Sequence, residues 1–132
     1  MSEATRLSIG AAIARYLQWM AINGYSPNSV IRYDESLRLF SAFCDERSLL
    51  TVDEITRSCI LRYQRALYYR RKENGARLAY MTQTTYLQAV RNLFTFLVKS
   101  ELLPFNPASE VRFVNRRHRL PRGVLSRDIV QQ

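Results

Sequence analysis

The sequence predicts an all-α protein: a bundle of four main helices, a short fifth helix and a basic C-terminal linker. Three observations carry that prediction. Apolar residues recur at spacings of three and four in four separate stretches, no strand-like alternation persists, and only 4 Gly and 4 Pro interrupt 132 residues. A chain of this length folds as one domain that buries about two-thirds of the surface its unfolded form exposes. Its 47% hydrophobic content excludes a disordered protein, and no internal repeat suggests a solenoid.

Ser8 can cap the first helix, in which Ile9, Ala12, Ile13, Tyr16, Leu17 and Met20 form a continuous apolar face that ends at Asn23-Gly24. Ser26-Pro27 then reads as an N-cap followed by proline at the first helical position. Val30, Tyr33, Leu37 and Phe40 write the second helix to about Arg47, with Asn28, Arg32 and Glu35 outside. Ser48 to Ile55 is a connection whose Leu49, Leu50, Val52 and Ile55 are expected to fold onto the core. Thr56 caps a third helix that turns Ile60, Tyr63, Ala66 and Leu67 inward and runs to Asn74-Gly75, with Arg57, Arg62, Arg65, Arg70, Arg71 and Lys72 towards solvent. Thr82 is expected to cap the fourth helix. There Leu87, Val90, Phe94 and Leu97 share one stripe, while Thr85, Gln88, Asn92 and Lys99 lie opposite and Arg91 on the flank. Asn106-Pro107 opens the short fifth helix.

The charge is placed unevenly. Of 20 basic residues 18 are Arg, and the formal net charge is +9. Residues 1–56 carry net −2, residues 57–99 net +8 and residues 100–132 net +3. A polyanionic partner, nucleic acid first, suits that distribution. Cys44 and Cys59 lack the spacing of a zinc site and read as buried free thiols of a reducing compartment. The apolar run from Ile9 to Ile22 is broken by Arg15 and Gln18, and no signal-peptide pattern precedes it, so a soluble cytoplasmic protein with no membrane partner is expected. From Phe113 to Gly123 the helical pattern fails, in a stretch holding Arg116, Arg117, Arg119 and Arg122. Ser126 then starts something new that stops at Gln132. We read residues 1–112 as a helical domain and 113–132 as a linker with the cut-off start of a second domain.

Several of these motifs, in this order and spacing, resemble the N-terminal core-binding domain of the tyrosine recombinases, the phage-integrase and Xer-like enzymes. Gly24-Tyr25-Ser26-Pro27-Asn28-Ser29 with Tyr33, Leu37 and Phe40 is similar to that family's second-helix signature, with Ser29 where Thr is usual. Thr85, Ala89-Val90-Arg91, Phe94, Phe96-Leu97 and Asn106-Pro107-Ala108 resemble its fourth-helix signature and the turn after it. Arg119-Leu120-Pro121-Arg122 through Leu125-Ser126 resemble the interdomain linker. The resemblance covers about residues 9–130 and implies a SAM-like orthogonal bundle that forms half of a clamp on duplex DNA, its second and fourth helices in the major groove. It nominates Asn28, Ser29 and Arg32 on the second helix, and Thr82, Thr84, Thr85, Gln88, Arg91 and Asn92 on the fourth. Arg57, Arg70, Arg71, Lys72, Arg77, Arg91 and the linker arginines would hold phosphates. One departure is that Asp34-Glu35 follow Tyr33 where basic residues are frequent; acids there must turn away from phosphates, accept from cytosine or pair with Arg38.

The family's strand-cleaving chemistry needs a Tyr nucleophile with Arg, Lys and His partners and a readable His-x-x-Arg pair. The single His118 is followed three residues on by Pro121, and no Tyr has such neighbours. We therefore expect a DNA-binding fragment with no catalytic residues, metal site or cofactor. Its parent would be a cleaving and rejoining recombinase, monomeric in free solution and assembled with other protomers in a synaptic complex on DNA. A helical protein–protein module with a basic face for an acidic partner is the competing reading. Steep salt dependence on duplexes of any sequence separates the two.

Overall fold

Ser8, Ser26 and Thr56 each accept a hydrogen bond from the backbone N–H three residues on, satisfying a donor that the first turn of a helix leaves orphaned. The structure is a computed structural model that describes residues 7–112. After those caps follow α1 (Ile9–Ile22), α2 (Pro27–Glu46) and α3 (Arg57–Tyr69), and then α4 (Tyr80–Lys99). Among the described residues there is no strand, only two isolated antiparallel bridges, Ser8 with Thr51 and Arg71 with Arg77. The expected all-α fold is what forms. The linker arginines Arg116, Arg117, Arg119 and Arg122, and the Ser126 cap, lie outside the described residues.

α4 is the axis of the bundle, packing against α1, α2 and α3. The predicted stripe of Leu87, Val90, Phe94 and Leu97 is buried, and Ala89 and Leu93 join it because neighbours lie on more than one side. Phe40 of α2 meets Tyr63 of α3 edge-on at 5.0 Å between ring centroids and Phe94 of α4 at 6.3 Å, so one ring couples three helices. Burying each such side chain contributes about 1.5–3 kcal/mol.

Four local expectations need correction. Leu50 stays 62% exposed, with its N–H donating to Glu54 Oε1 and its carbonyl accepting from Ile9 N–H, while Val52 and Ile55 fill the core beside it. α3 stops at Tyr69, not at Asn74-Gly75. Its apolar stripe runs out at Leu67, and without a face to bury the chain has no reason to stay helical. Residues 70–78 instead form a small hairpin in which Lys72 N–H donates to the Ala76 carbonyl and Gly75, at φ +86°, makes the turn. α4 begins two residues before Thr82, at Tyr80, with Ala79 at the N-cap and no side-chain cap. The buried Gln83 side chain donates to the Leu78 carbonyl just ahead.

The fifth helix does not form. Asn106 Oδ1 accepts from Ala108 N–H as a cap would, but two successive turns follow, Ser109 N–H to the Asn106 carbonyl and Val111 N–H to the Ala108 carbonyl. Asn106 Nδ2 is drawn instead to the Arg91 carbonyl (3.3 Å) and Thr95 Oγ1 (3.0 Å), which pins this segment along α4.

Cys44 and Cys59 are free, Cys44 buried and Cys59 half-buried. Burial pushes the Cys44 thiol from 9.0 up to about 12. Burial also raises the Tyr16 and Tyr63 phenols, and the Tyr63 hydroxyl has no hydrogen-bond partner among the described residues. All three groups fold in the neutral form, so stability is complete below about pH 9 and falls as pH rises from about 9 towards 12, where the unfolded chain ionises first. Urea midpoints at pH 8 and 10.5 check this: the midpoint drops at the higher pH, and Cys44→Ala shows a smaller drop.

Candidate nucleic-acid interface

A groove of about 340 Å³ separates α2 from the N-terminal half of α4. Ser29, Arg32, Tyr33 and Ser36 line it from α2, and Thr84, Thr85, Gln88 and Ala89 from α4. Five of the residues expected from sequence therefore meet in one concavity: Ser29, Arg32, Thr84, Thr85 and Gln88. The groove offers hydroxyls, an amide and one guanidinium over an Ala and Ser floor, a set that can recognise hydrogen-bonding edges and negative charge.

The supports of these groups are as telling as their positions. Gln88 Nε2 donates to Asn92 Oδ1 at 2.8 Å, and Asn92 Nδ2 donates to the Tyr33 hydroxyl at 2.9 Å. That relay ties α4 to α2 and fixes the Gln88 amide, while committing Asn92 to a structural partner. Thr85 Oγ1 donates to the Met81 carbonyl, which leaves its lone pairs as acceptors. Ser29 is held at the helix start by the Ser26 hydroxyl, and Asn28 is exposed in the first turn without lining the groove. Thr82 is half-buried two residues before Thr84 and so projects across the helix from it.

Arg91 departs from the expected flank position. Its Nε donates to the Ala108 carbonyl at 3.3 Å and its NH2 to the Val111 carbonyl, so the guanidinium braces the segment after α4. Ala108 and Val111 are both almost fully buried, and without Arg91 their carbonyls would lose a charged donor.

The acidic departure on α2 resolves for Asp34, while Glu35 stays exposed three residues from Arg32 and on its side of the helix. Asp34 pairs with Arg38 one turn on at 3.0 Å and raises its pKa, chiefly through the hydrogen bond. Asp34 is also two residues from Arg32, hence nearly opposite it around the helix and away from the α4 groove.

A second groove of about 460 Å³ runs along the other flank of α4, lined from α3 by Arg65, Tyr68 and Tyr69 and from α4 by Tyr80, Gln83, Thr84 and Leu87. Thr84 lines both grooves, so the first two turns of α4 are a ridge with a concavity on each side. Beside the second groove stands the hairpin with Arg70, Arg71, Lys72 and Arg77. The Arg77 guanidinium sits 4.6 Å from the centroid of the Tyr68 ring and donates to its hydroxyl at 2.7 Å. Sequence reading overlooked Arg65, Tyr68, Tyr69 and Tyr80. The available signal was that Arg65 and Tyr68, three apart on α3, share a face with no apolar task.

A third groove, of about 490 Å³, lies between α1 and the C-terminal half of α4 and carries Trp19, Tyr25, Phe96 and Lys99. Among the described residues no three His, Cys, Asp or Glu side chains could together hold a metal ion. No helix there is long and apolar enough to cross a membrane.

Comparison with known proteins agrees with this architecture. The profile of the phage integrase N-terminal SAM-like domain matches residues 11–101. A curated relative, tyrosine recombinase XerC 2 of Ralstonia nicotianae, is 34% identical over 111 residues, 84% of this chain and 32% of that protein. The chain thus spans about a third of the length of the curated relative it matches. Among solved structures, the N-terminal domain of a phage integrase/site-specific recombinase from Haloarcula marismortui superposes with a TM-score of 0.70 at 18% identity, covering 83% of this chain and 98% of that one. A fragment from Clostridium leptum gives 0.61 at 21% identity, covering 83% and 91%. At those identities the two structures show the shared fold.

The geometry makes Arg91 a brace, with a measurable consequence. Arg91→Ala lowers the free energy of unfolding by about 1.5–3 kcal/mol, the worth of hydrogen bonds from a charged donor, in urea unfolding followed by circular dichroism. An unchanged midpoint together with a large loss of nucleic-acid affinity would return Arg91 to the surface role expected from sequence.

Proposed function

The chain belongs to the phage integrase N-terminal SAM-like domain family, and on that footing we propose that it is the part of a tyrosine recombinase that grips duplex DNA at the recombination site. The observation that carries the proposal is the α4 ridge: its polar edge stands between two grooves, with Arg32 on one flank and Arg65 and Arg77 on the other. A B-DNA major groove, about 12 Å wide, admits one helix, and cationic flanks would then lie near the two phosphate strands.

In this reading Gln88, Thr84 and Thr85 address base edges, because an amide pairs bidentately with adenine and a hydroxyl can donate or accept. Arg32, Arg70, Arg71, Lys72 and Arg77 neutralise phosphates, joined by Arg116, Arg117, Arg119 and Arg122, and Asn28 and Ser29 contact the backbone where α2 starts. Asn92 and Arg91 hold the ridge in place. Residues 1–112 are the DNA-gripping domain and 113–132 lead into a second domain that cleaves and rejoins strands. The free protein is a cytoplasmic monomer that meets other protomers on DNA. No cofactor is required for the grip.

Fluorescence anisotropy with labelled duplexes tests this. Binding should weaken steeply with salt, and Arg32→Ala should weaken all duplexes alike, by roughly tenfold, with a log–log salt slope shallower by about 0.9. Gln88→Ala should change the ranking of duplex sequences while leaving binding to unrelated DNA near its starting value. No duplex binding at low salt, with an acidic polypeptide bound instead, would overturn the reading.

A further inference from the structure

The hairpin after α3 places like charges together, and its one acid, Glu73, forms no ion pair with them. Arg71 and Arg77 are directly opposed across an antiparallel bridge, which puts their side chains on the same face, an arrangement that costs stability in a free protein. The two ion pairs found among the described residues, Arg38 with Asp34 and Arg47 with Glu46, involve neither of them. Both guanidiniums are nevertheless held, and both against the end of α3. Arg71 NH1 donates to the Tyr69 carbonyl at 3.1 Å, at the negative end of the helix dipole. Arg77 lies over the Tyr68 ring and donates to its hydroxyl. Tyr69 packs edge-on against Tyr68 at 5.0 Å and completes the platform.

We propose that Arg71 and Arg77 together form a preorganised seat for one backbone phosphate of duplex DNA, with Tyr68 as the positioning residue that aims Arg77. The inference rests on the DNA-gripping reading above. Each guanidinium has five N–H donors in a rigid fork and spends only one on its protein partner in this hairpin. The remaining donors of both can converge on the oxygens of one phosphate, and the anion offsets the repulsion across the bridge. Tyr68 raises affinity by removing the entropy cost of ordering Arg77 at the moment of binding. The hairpin backbone is set independently of these side chains by Lys72 N–H to the Ala76 carbonyl and Ala76 N–H to Asn74 Oδ1, so substitutions at Arg71, Arg77 or Tyr68 leave its shape in place.

The test is a double-mutant cycle on the 132-residue chain, with duplex affinity measured by anisotropy across a salt series and circular dichroism confirming the fold of each variant. Arg77→Ala and Arg71→Ala should each weaken binding by roughly tenfold at low salt and make the salt slope shallower by about 0.9. Tyr68→Leu should weaken binding by roughly fivefold beside an intact Arg77, and have almost no effect in the Arg77→Ala background. Equal losses from Tyr68→Leu in both backgrounds would show a structural role only and overturn the positioning claim. If Arg71→Ala and Arg77→Ala bind like the parent while Arg32→Ala still weakens binding, the phosphate seat fails and the wider DNA reading survives. Absence of any duplex binding by the parent chain would sink both.

Discussion

The burial of α4 between three other helices governs everything else in this molecule. Leu93, Phe94, Leu97 and Val90 are fully enclosed, each worth about 1.5–3 kcal/mol, and a rotation of the helix by even one residue position would exchange some of them for Gln88, Asn92 or Thr95. The orientation of the polar edge is therefore fixed by the greasy one. Two further devices lock it: the Gln88–Asn92–Tyr33 relay towards α2, and the Arg91–Asn106 brace towards the segment after the helix. A recognition edge held this way loses little entropy when it meets a partner.

From that fixed ridge the distribution of charge gains meaning. Arg32 stands in the groove on one side, Arg65 in the groove on the other, and the 70–78 hairpin extends the second flank. Asp34 is carried round α2 to the far side, where Arg38 answers it. The result is an apolar interior and a cationic, amide- and hydroxyl-bearing edge on the same helix. The family to which the chain belongs gives that edge its proposed partner. The hairpin adds a different kind of signal, since opposed arginines that form no ion pair are a cost in the free protein that the proposed phosphate would offset.

Much of this was legible in the sequence, and the exceptions are instructive. The helix starts at Ser8, Ser26 and Thr56 were readable because capping is a local hydrogen bond between a side chain and a backbone group three residues away. The groove residues Arg32, Thr85 and Gln88 were readable because they oppose the apolar stripes of their helices, whereas Thr84, on the flank of its stripe, came from the family resemblance alone. Tertiary contacts decided what local pattern could not. Arg91 sits on the flank in a helical projection, and only the path of residues 106–111 reveals that it binds carbonyls. Leu50 is apolar and yet exposed, because Val52 and Ile55 take the core positions of that connection. α3 lost its last turn because helix propensity without a buried face is not enough, and the basic residues read as helical surface became a hairpin. Tyr68 went unnoticed because its role depends on Arg77, nine residues away across that hairpin.

The central claim is that the walled polar edge of α4 is the surface that meets DNA. Amide chemical-shift mapping on the isotope-labelled chain, titrated with duplex DNA, reads this directly. The account predicts the largest shifts at Arg32, Thr84, Thr85, Gln88 and Arg77, with residues of the buried stripe nearly still. Shifts confined to the aromatic groove of Trp19, Tyr25 and Phe96, with the α4 ridge unmoved, would contradict it.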